Sequence, residues 1–286
     1  MAETFTPSTT TAPPATYSMP NNTELADAEA LKTNVLKPLA SGLSFALGAG
    51  NVSLPARRPQ IDTTAAGSVT VGTFSAYFAG AGAYTTLTSP ATLTNANIDV
   101  SPGSWAVSSV YYIYAAWVAG ALQLKLSLTA PNSTLTNKTG SADLLYLGCV
   151  MTDSSGNLIP WRALNGRYHF LVFQPLLGSG TETAWTAVSL TAVLPPTAQT
   201  IFVNLQLVNN STLARQAYLR PASAVGSYTL YVGANARYLT AITPTTASVY
   251  NSTYGEIPTG ASNNIEYQVS GADAFCTVFG SGFSEP

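Results

Sequence analysis

From about residue 60 onward, short apolar runs alternate with turn-forming residues. The runs are rich in Val, Thr, Tyr, Phe and Leu, and Gly, Pro, Asn and Ser separate them, which is the pattern of β-strands joined by tight turns. Many short strands at this spacing favour a mainly β fold, an antiparallel β-sandwich or a jelly roll. The predicted strands are 68–78, 106–117, 121–129, 144–152, 167–174, 184–193, 200–208, 227–232, 246–250, 264–269 and 274–280.

The first 60 residues follow a different pattern. Residues 1–20 are mostly Thr, Pro, Ala and Ser, and such a segment buries too little apolar surface to offset its ordering entropy. We therefore predict an arm that is disordered alone or extended along a partner. One short helix follows and ends at Pro38. Its narrow apolar stripe needs another surface to lie on, because a short isolated helix is marginal in water. The stripe consists of Leu25, Ala28, Leu31 and Val35.

This change of pattern predicts two regions. Residues 1–60 form an N-terminal arm, helix and anchoring segment, and residues 61–286 form the β-sandwich region, in which Pro195-Pro196 suggests a break between two subdomains near 194–199. The segment that joins the regions carries Arg57 and Arg58, the densest charge in the chain. One interpretation is a solvated linker. The other is a docking contact with a carboxylate or carbonyl of a neighbouring subunit.

Charge is scarce throughout. Charged residues make up 8% of the 286 residues, against about 25% in an ordinary soluble protein, and the net charge is −2. A weakly charged surface repels its own copies little, which favours a permanent assembly. No basic stripe exists for nucleic acid. No apolar run is long enough to span a membrane, and the first residues lack the features of a secretory signal.

Few residues suit catalysis. A serine triad would need His169, the only histidine, as its base, and His169 lies in an alternating strand pattern. A glycosidase would need two facing carboxylates. Asp143 and Asp153 flank one predicted strand pair, but Asp153 beside Gly156 is typical of a turn. We therefore predict no enzyme activity, no metal and no cofactor.

Cys149 and Cys276 both lie in apolar, strand-like runs. Two buried, reduced thiols are the favoured interpretation, since free cysteine behaves as a small hydrophobic residue. A single disulfide between the two strands is the alternative.

Aromatic residues are the better candidates for binding. One group lies in a single run and another lies in the C-terminal third of the chain. Aromatic rings with polar tips suit a core, a subunit interface or sugar stacking, and we favour the core or interface over a glycan site. The candidates are Tyr111, Tyr112, Tyr114, Trp117, Tyr250 and Tyr254.

Two stretches resemble structural proteins of tailed bacteriophages. In 144–161, an apolar strand with Leu-Gly is followed by Thr-Asp, a Ser-Gly-Asn turn, and Ile-Pro before Trp161, which resembles a strand–turn–strand unit common in those proteins. In 257–283, an Ile-Pro loop precedes an Ile-Glu-Tyr strand, and the last strand closes on Gly-Phe. This order is similar to the end of many phage fibre and tail sandwich domains.

The resemblance implies an oligomeric, usually trimeric, β-sandwich subunit with an N-terminal anchor and no catalytic residues. We expect a structural protein of a phage particle, located in the virion and assembled in the host cytoplasm. Its partners would be its own copies as a homotrimer and the capsid, portal, neck or tail proteins, without nucleic acid or membrane insertion. The alternative is a receptor- or glycan-binding tip of a tail fibre, and a glycan depolymerase is the least favoured.

Overall fold

The structure, a computed structural model, describes residues 58–65, 67–99, 103–210, 212–222, 239–244, 249–259 and 263–286. Contacts within the chain divide it into Met1–Leu43 and Ser44–Pro286, and the fold described belongs to the second unit. Several expected features lie outside the described residues. They are the N-terminal arm, the helix with Leu25, Ala28, Leu31 and Val35, the side chain of Arg57, and the strand at 227–232.

The fold is mainly β, as the alternating pattern predicts, and every strand pair is antiparallel. The strands of the described residues are β1 (Ile61–Ala65), β2 (Ser68–Val71), β3 (Phe74–Phe78), β4 (Ala83–Leu87), β5 (Ala91–Thr94), β6 (Val110–Val118), β7 (Ala121–Ser127), β8 (Asn137–Lys138), β9 (Ser141–Met151), β10 (Trp161–Leu164), β11 (Arg167–Gly180), β12 (Thr186–Ser189), β13 (Thr200–Asn209), β14 (Arg215–Pro221), β15 (Leu239–Thr243), β16 (Val249–Pro258), β17 (Asn264–Val269) and β18 (Ala274–Ser284). Two short 3₁₀ turns, Ala79–Ala81 and Asn95–Asn97, are the helical elements of this part.

One large sheet organises the molecule. It has eight strands in the order β16-β13-β18-β11-β10-β1-β2-β5. Two four-stranded sheets have the orders β12-β17-β14-β15 and β7-β6-β9-β8, and β3 and β4 form a hairpin. The eight-stranded sheet takes strands from both sides of residues 194–199.

The core lies on one side of the eight-stranded sheet, which we call the inner face. Alternate residues of β13 point to it, as period-2 alternation requires, and β15 lies against β13 and β16 on this side. Farther along the same face, Tyr168 and Phe283 stack with ring centroids 4.3 Å apart. The Cys149 amide of β9 donates to the Tyr168 hydroxyl at 3.2 Å. Both four-stranded sheets therefore pack against one side of the large sheet.

The predicted strands agree with the structure where one apolar run forms one strand. Strand β17 has the predicted bounds, 264–269. The run 68–78 instead forms β2 and β3, because the Gly72 amide turns back and donates to the Gln60 carbonyl at 2.7 Å. Asp153 is a turn residue, as predicted. Its carboxylate accepts the Ser155 and Asn157 amides at 2.8 and 2.9 Å.

Gly148 allows β9 to approach the large sheet closely. It lies at a bulge where β6 and β9 change register, with a φ of 155°. A Cβ atom at this position would lie 2.7 Å from the Tyr168 hydroxyl and would overlap Ile61. The backbone, not a side chain, therefore fills this part of the core.

We expect Gly148→Ala to destabilise the fold by about 2–3 kcal/mol, the usual cost of overpacking a core at a restricted backbone position. The matched control is Gly178→Ala in β11, where a Cβ atom meets nothing within 4 Å; it should change the free energy of unfolding by less than about 0.5 kcal/mol. Urea unfolding followed by tryptophan fluorescence measures both. Equal effects of the two substitutions would contradict this account of the bulge.

Candidate functional site

A buried carboxylate is the most unusual group in the described residues. The Glu285 side chain is fully buried and forms an ion pair with Arg58, with Nη1 and Oε2 2.9 Å apart. The Tyr146 hydroxyl donates to Oε1 at 2.7 Å, and the Tyr168 hydroxyl donates to Oε2 at 3.0 Å. Thr197 also donates to Oε1. We call these residues the Glu285 cluster.

Backbone geometry brings Glu285 to this position. The residue follows β18 directly, and its amide donates to the Gly166 carbonyl at 2.9 Å. Gly166 lies in the turn between β10 and β11 with a φ of 76°. A Cβ atom there would lie 3.2 Å from the Glu285 carbonyl oxygen. The glycine turn therefore lets the end of β18 lie flat against β11.

Burial and the nearby charges shift the pKa values of Arg58 and of the two tyrosines. Burial, the largest single effect, opposes the charge of Arg58, but Glu285 together with Tyr168, Tyr146 and Cys149 outweighs it, so the pKa of the guanidinium is raised. Burial first, and the nearby carboxylate second, raise the pKa of Tyr146 well above its ordinary value. Burial and the neighbouring Cys149 and Glu285 do the same for the pKa of Tyr168. The tyrosines therefore stay neutral donors.

Cys149 completes the cluster without becoming a nucleophile. Its Sγ lies 3.7 Å from Glu285 Oε1. Burial and the carboxylate raise the pKa of the thiol well above its ordinary value, whereas reactive cysteines need a lowered pKa. Cys276 is also free and buried, and burial raises the pKa of its thiol to about 12. Both cysteines are reduced thiols, as the favoured interpretation predicts.

Sequence analysis missed Glu285. A charged residue is ordinarily solvent-exposed, and nothing in the local pattern marks Glu285 as buried. The available signal is its isolation, because it is the only charged residue after Asp273. Isolation indicates neither burial nor a partner 227 positions away in the sequence.

Arg58 is the only one of the anchoring candidates whose side chain the structure describes. The structure gives it an intramolecular partner, Glu285, and places its guanidinium carbon 5.3 Å from the ring centroid of Tyr146. The side chain is 12% exposed. A contact between Arg58 and a neighbouring subunit stays a prediction.

Three tyrosines of the first aromatic group lie in the core, one of the two locations that the favoured interpretation allows. Tyr111, Tyr112 and Tyr114 are all buried. The Tyr114 hydroxyl donates to the Thr129 carbonyl at 2.8 Å, and the Tyr111 hydroxyl accepts the Ala106 amide at 2.7 Å. Strand β6 is covered on both sides, so consecutive tyrosines become buried instead of alternating with exposed residues. Trp117 is half-buried near the end of the strand.

The second aromatic group lies on the opposite side of the large sheet. Tyr250 and Tyr254 of β16 are both 62% exposed. Register places Tyr250 beside Val208, and Val208 beside Phe275 of β18. Tyr254, Asn204 and Phe279 form a second such row. We call this surface the outer face, defined by Phe202, Asn204, Val208, Tyr250, Tyr254, Phe275 and Phe279.

Two features accompany the outer face. One is an ion pair at one end of it, and the other is a bulge of β11 with exposed apolar residues. Arg167 forms an ion pair with Glu256 and lies 4.6 Å from the ring centroid of Phe202. His169 is an exposed strand residue, and its ring lies 5.5 Å from the same phenylalanine ring at a tilt of 31°. Residues 171–173 (Leu-Val-Phe) are each at least half exposed, where the pairing of β11 with β18 changes register.

No protein-family model and no curated protein matches this sequence. Among the described residues, no helix has the length and apolarity that a membrane crossing requires. The same residues contain no group of three or more side chains placed to hold a metal ion. The two features that the geometry singles out are therefore the Glu285 cluster and the outer face.

We expect Glu285→Gln to destabilise the fold by about 3–5 kcal/mol, because it leaves the Arg58 charge buried without a counter-charge. The matched control is Glu256→Gln, which breaks the exposed ion pair with Arg167 and should cost less than about 1 kcal/mol. Urea unfolding at pH 7 measures both. The double variant Arg58→Met/Glu285→Gln should recover part of the loss, since it removes the stranded charge. A loss for Glu285→Gln as small as that of the control would contradict this role.

The raised pKa values of Tyr146, Tyr168 and Cys149 predict a stability that falls at alkaline pH. The unfolded chain releases these protons near pH 9–10, whereas the folded chain retains them. Above about pH 9, each increase in pH therefore lowers the free energy of unfolding. Below about pH 8, these three groups do not make the free energy of unfolding depend on pH.

Tyr168→Phe should reduce the alkaline slope of the free energy of unfolding by about 1.4 kcal/mol per pH unit above about pH 10. Tyr250→Phe is the control: it removes an exposed tyrosine hydroxyl, and its alkaline slope of the free energy of unfolding is the value for comparison. Urea unfolding at a series of pH values from 7 to 11 (on the order of one pH unit apart) gives the slopes. The same slope in both variants would show that Tyr168 is not retained as a neutral donor.

Proposed function

We propose that this chain is a non-enzymatic structural protein of a bacteriophage particle. Residues 1–60 would anchor the subunit, and the sandwich would be exposed on the virion as a fibre or decoration component. The observation that carries the proposal is the outer face. Its most exposed residues, Tyr250 and Tyr254, present aromatic surface that the fold does not need for its own core, and such surface is typical of a site that contacts other molecules.

The residues that resemble phage structural proteins form continuous parts of the sandwich. Positions 144–161 span most of β9, the Asp153 turn and the start of β10. Positions 257–283 span the end of β16, then β17 and β18. A resemblance that follows continuous strand–turn–strand segments supports a shared sandwich architecture more strongly than scattered matches would.

The weak charge of the chain suits subunits that stay together. Contacts made by hydroxyls, amides and aromatic rings depend little on ionic strength, unlike contacts between exposed charges. We expect copies of the chain to associate, as a homotrimer, and to contact capsid, portal, neck or tail proteins in the virion. Nucleic acid binding and membrane insertion form no part of the proposal.

A receptor- or glycan-binding tip is the second candidate, and one observation favours it. Tyr250 and Tyr254 of the outer face are each 62% exposed. A sugar ring could stack on either tyrosine while its hydroxyls bond to the phenol groups, an arrangement that uses both the polar and the apolar sides of a sugar.

Mass spectrometry of purified phage particles tests the first candidate. We expect the chain in the particles at a fixed ratio to the major capsid protein, since low-charge interfaces should survive salt washing at about 1 M. Absence from the particles, or loss in that wash, would overturn the proposal. Adsorption of the purified chain to host cells distinguishes the second candidate: loss of adsorption in Tyr254→Ala, but not in Tyr84→Ala on the β3–β4 hairpin, would favour a receptor-binding tip.

A further inference from the structure

Strand β16 is an edge strand without the usual protection. It pairs with β13 on one side, and among the described residues no strand pairs with its other side. Natural edge strands are commonly protected by charged side chains, by proline or by short length. Strand β16 is 10 residues long, its only proline is Pro258, and its first seven residues carry no charge. Such an edge can accept another strand.

The sequence of this edge is symmetric about Ser252. Tyr250 lies two positions before it and Tyr254 two positions after it, and all three side chains lie on the outer face. In an antiparallel pair of identical strands centred on Ser252, Tyr250 of each copy would lie directly opposite Tyr254 of the other. Aromatic pairs directly opposite one another stabilise antiparallel strands.

We propose that two copies of this chain pair through their β16 strands, antiparallel, with the two-fold axis at Ser252. The pairing joins the two eight-stranded sheets edge to edge and brings four tyrosines together on one continuous outer face. A two-fold contact is self-complementary, so one surface of the chain serves both partners. The same contact can also connect one proposed homotrimer to a neighbouring homotrimer.

Charge permits this register. The first charged residue of the strand is Glu256, four positions after Ser252, and the residue four positions before Ser252 in the sequence is an uncharged serine. The charge of Glu256 is already compensated by Arg167. No like charges therefore meet, although like charges directly opposite would destabilise a strand pair. At the centre, the Ser252 amide donates to Asn251 Oδ1 at 2.8 Å, a local contact that an incoming strand can replace.

The contact area predicts a weak dimer. Four tyrosines that are each 62% exposed would bury at most about 400–600 Å², since a whole aromatic residue buries about 150–250 Å². Stable interfaces bury about 1,200–2,000 Å². We therefore expect pairing to be concentration-dependent for the free chain and stronger in a particle, where anchored neighbours have a high effective concentration.

Disulfide capture detects such a weak contact. Opposite residues of antiparallel strands have Cα atoms about 4.5–5.5 Å apart, which is within the range that a disulfide can bridge. Ser252→Cys in the full chain should form a covalent dimer under mild oxidation about tenfold faster than the control Ser189→Cys, because prior pairing raises the local thiol concentration. Ser189 is exposed on β12, and the native cysteines are buried.

Two charge variants in the Ser252→Cys background test the register. Tyr250→Lys/Tyr254→Lys places like charges opposite each other across the axis and should reduce cross-linking to the rate of the control. Tyr250→Glu/Tyr254→Lys places an acid opposite a base and should keep the fast rate. Circular dichroism and thermal unfolding check that all variants fold, which we expect because both tyrosines are exposed.

Two results would overturn the proposal. One is cross-linking of Ser252→Cys no faster than that of Ser189→Cys, and the other is an equal rate for the two charge variants. The inference goes beyond the proposed function and is separable from it. The cross-linking is measured on the purified chain, so its failure would leave membership of a phage particle untouched, and absence from particles would leave the pairing untouched.

Discussion

The buried carboxylate of Glu285 is the interaction on which the arrangement of the sandwich depends. It accepts hydrogen bonds from four segments of the chain: from Arg58 before β1, Tyr146 in β9, Tyr168 in β11 and Thr197 before β13. Removing a carboxylate from water costs several kcal/mol unless it is paired and hydrogen-bonded. The carboxylate can accept all of these hydrogen bonds in only one relative position of the four segments. The cluster therefore contributes more to the uniqueness of the packing than to its net stability.

The position of β18 extends this constraint to the whole sheet. Strand β18 lies between β13 and β11, and Glu285 follows its last residue. Fixing this end fixes the register of the two neighbouring strands, because a shift of one residue would exchange the inner and outer faces. The apolar residues of β13 that point inward then meet both four-stranded sheets. With the core complete on the inner side, the aromatic residues of the outer face are left for other contacts.

The sequence allowed prediction of the class of fold but not of the cluster. Alternating patterns such as that of β17 report burial on one side of a strand, and this local signal predicted a mainly β sandwich. Strand β6 lacks the alternation because it is covered on both sides, so its tyrosines could not be divided into core and surface residues. Exposed Tyr250 and buried Tyr111 carry the same chemistry, and only their position in the sheet distinguishes them. Glu285 depends on partners distant in sequence, which no local pattern encodes.

Within the described residues, the few charged side chains pair mainly with one another. Six basic side chains of the described residues form ion pairs, among them Arg58 with Glu285, Arg215 with Asp273 and Arg220 with Glu266. These ion pairs neutralise the charges within the chain, so they are not available to attract a partner. The central rows of the outer face therefore present aromatic rings, and no long-range electrostatic field steers or repels a partner there. Specificity must then come from shape and register, which is what an edge strand with a symmetric arrangement of tyrosines provides.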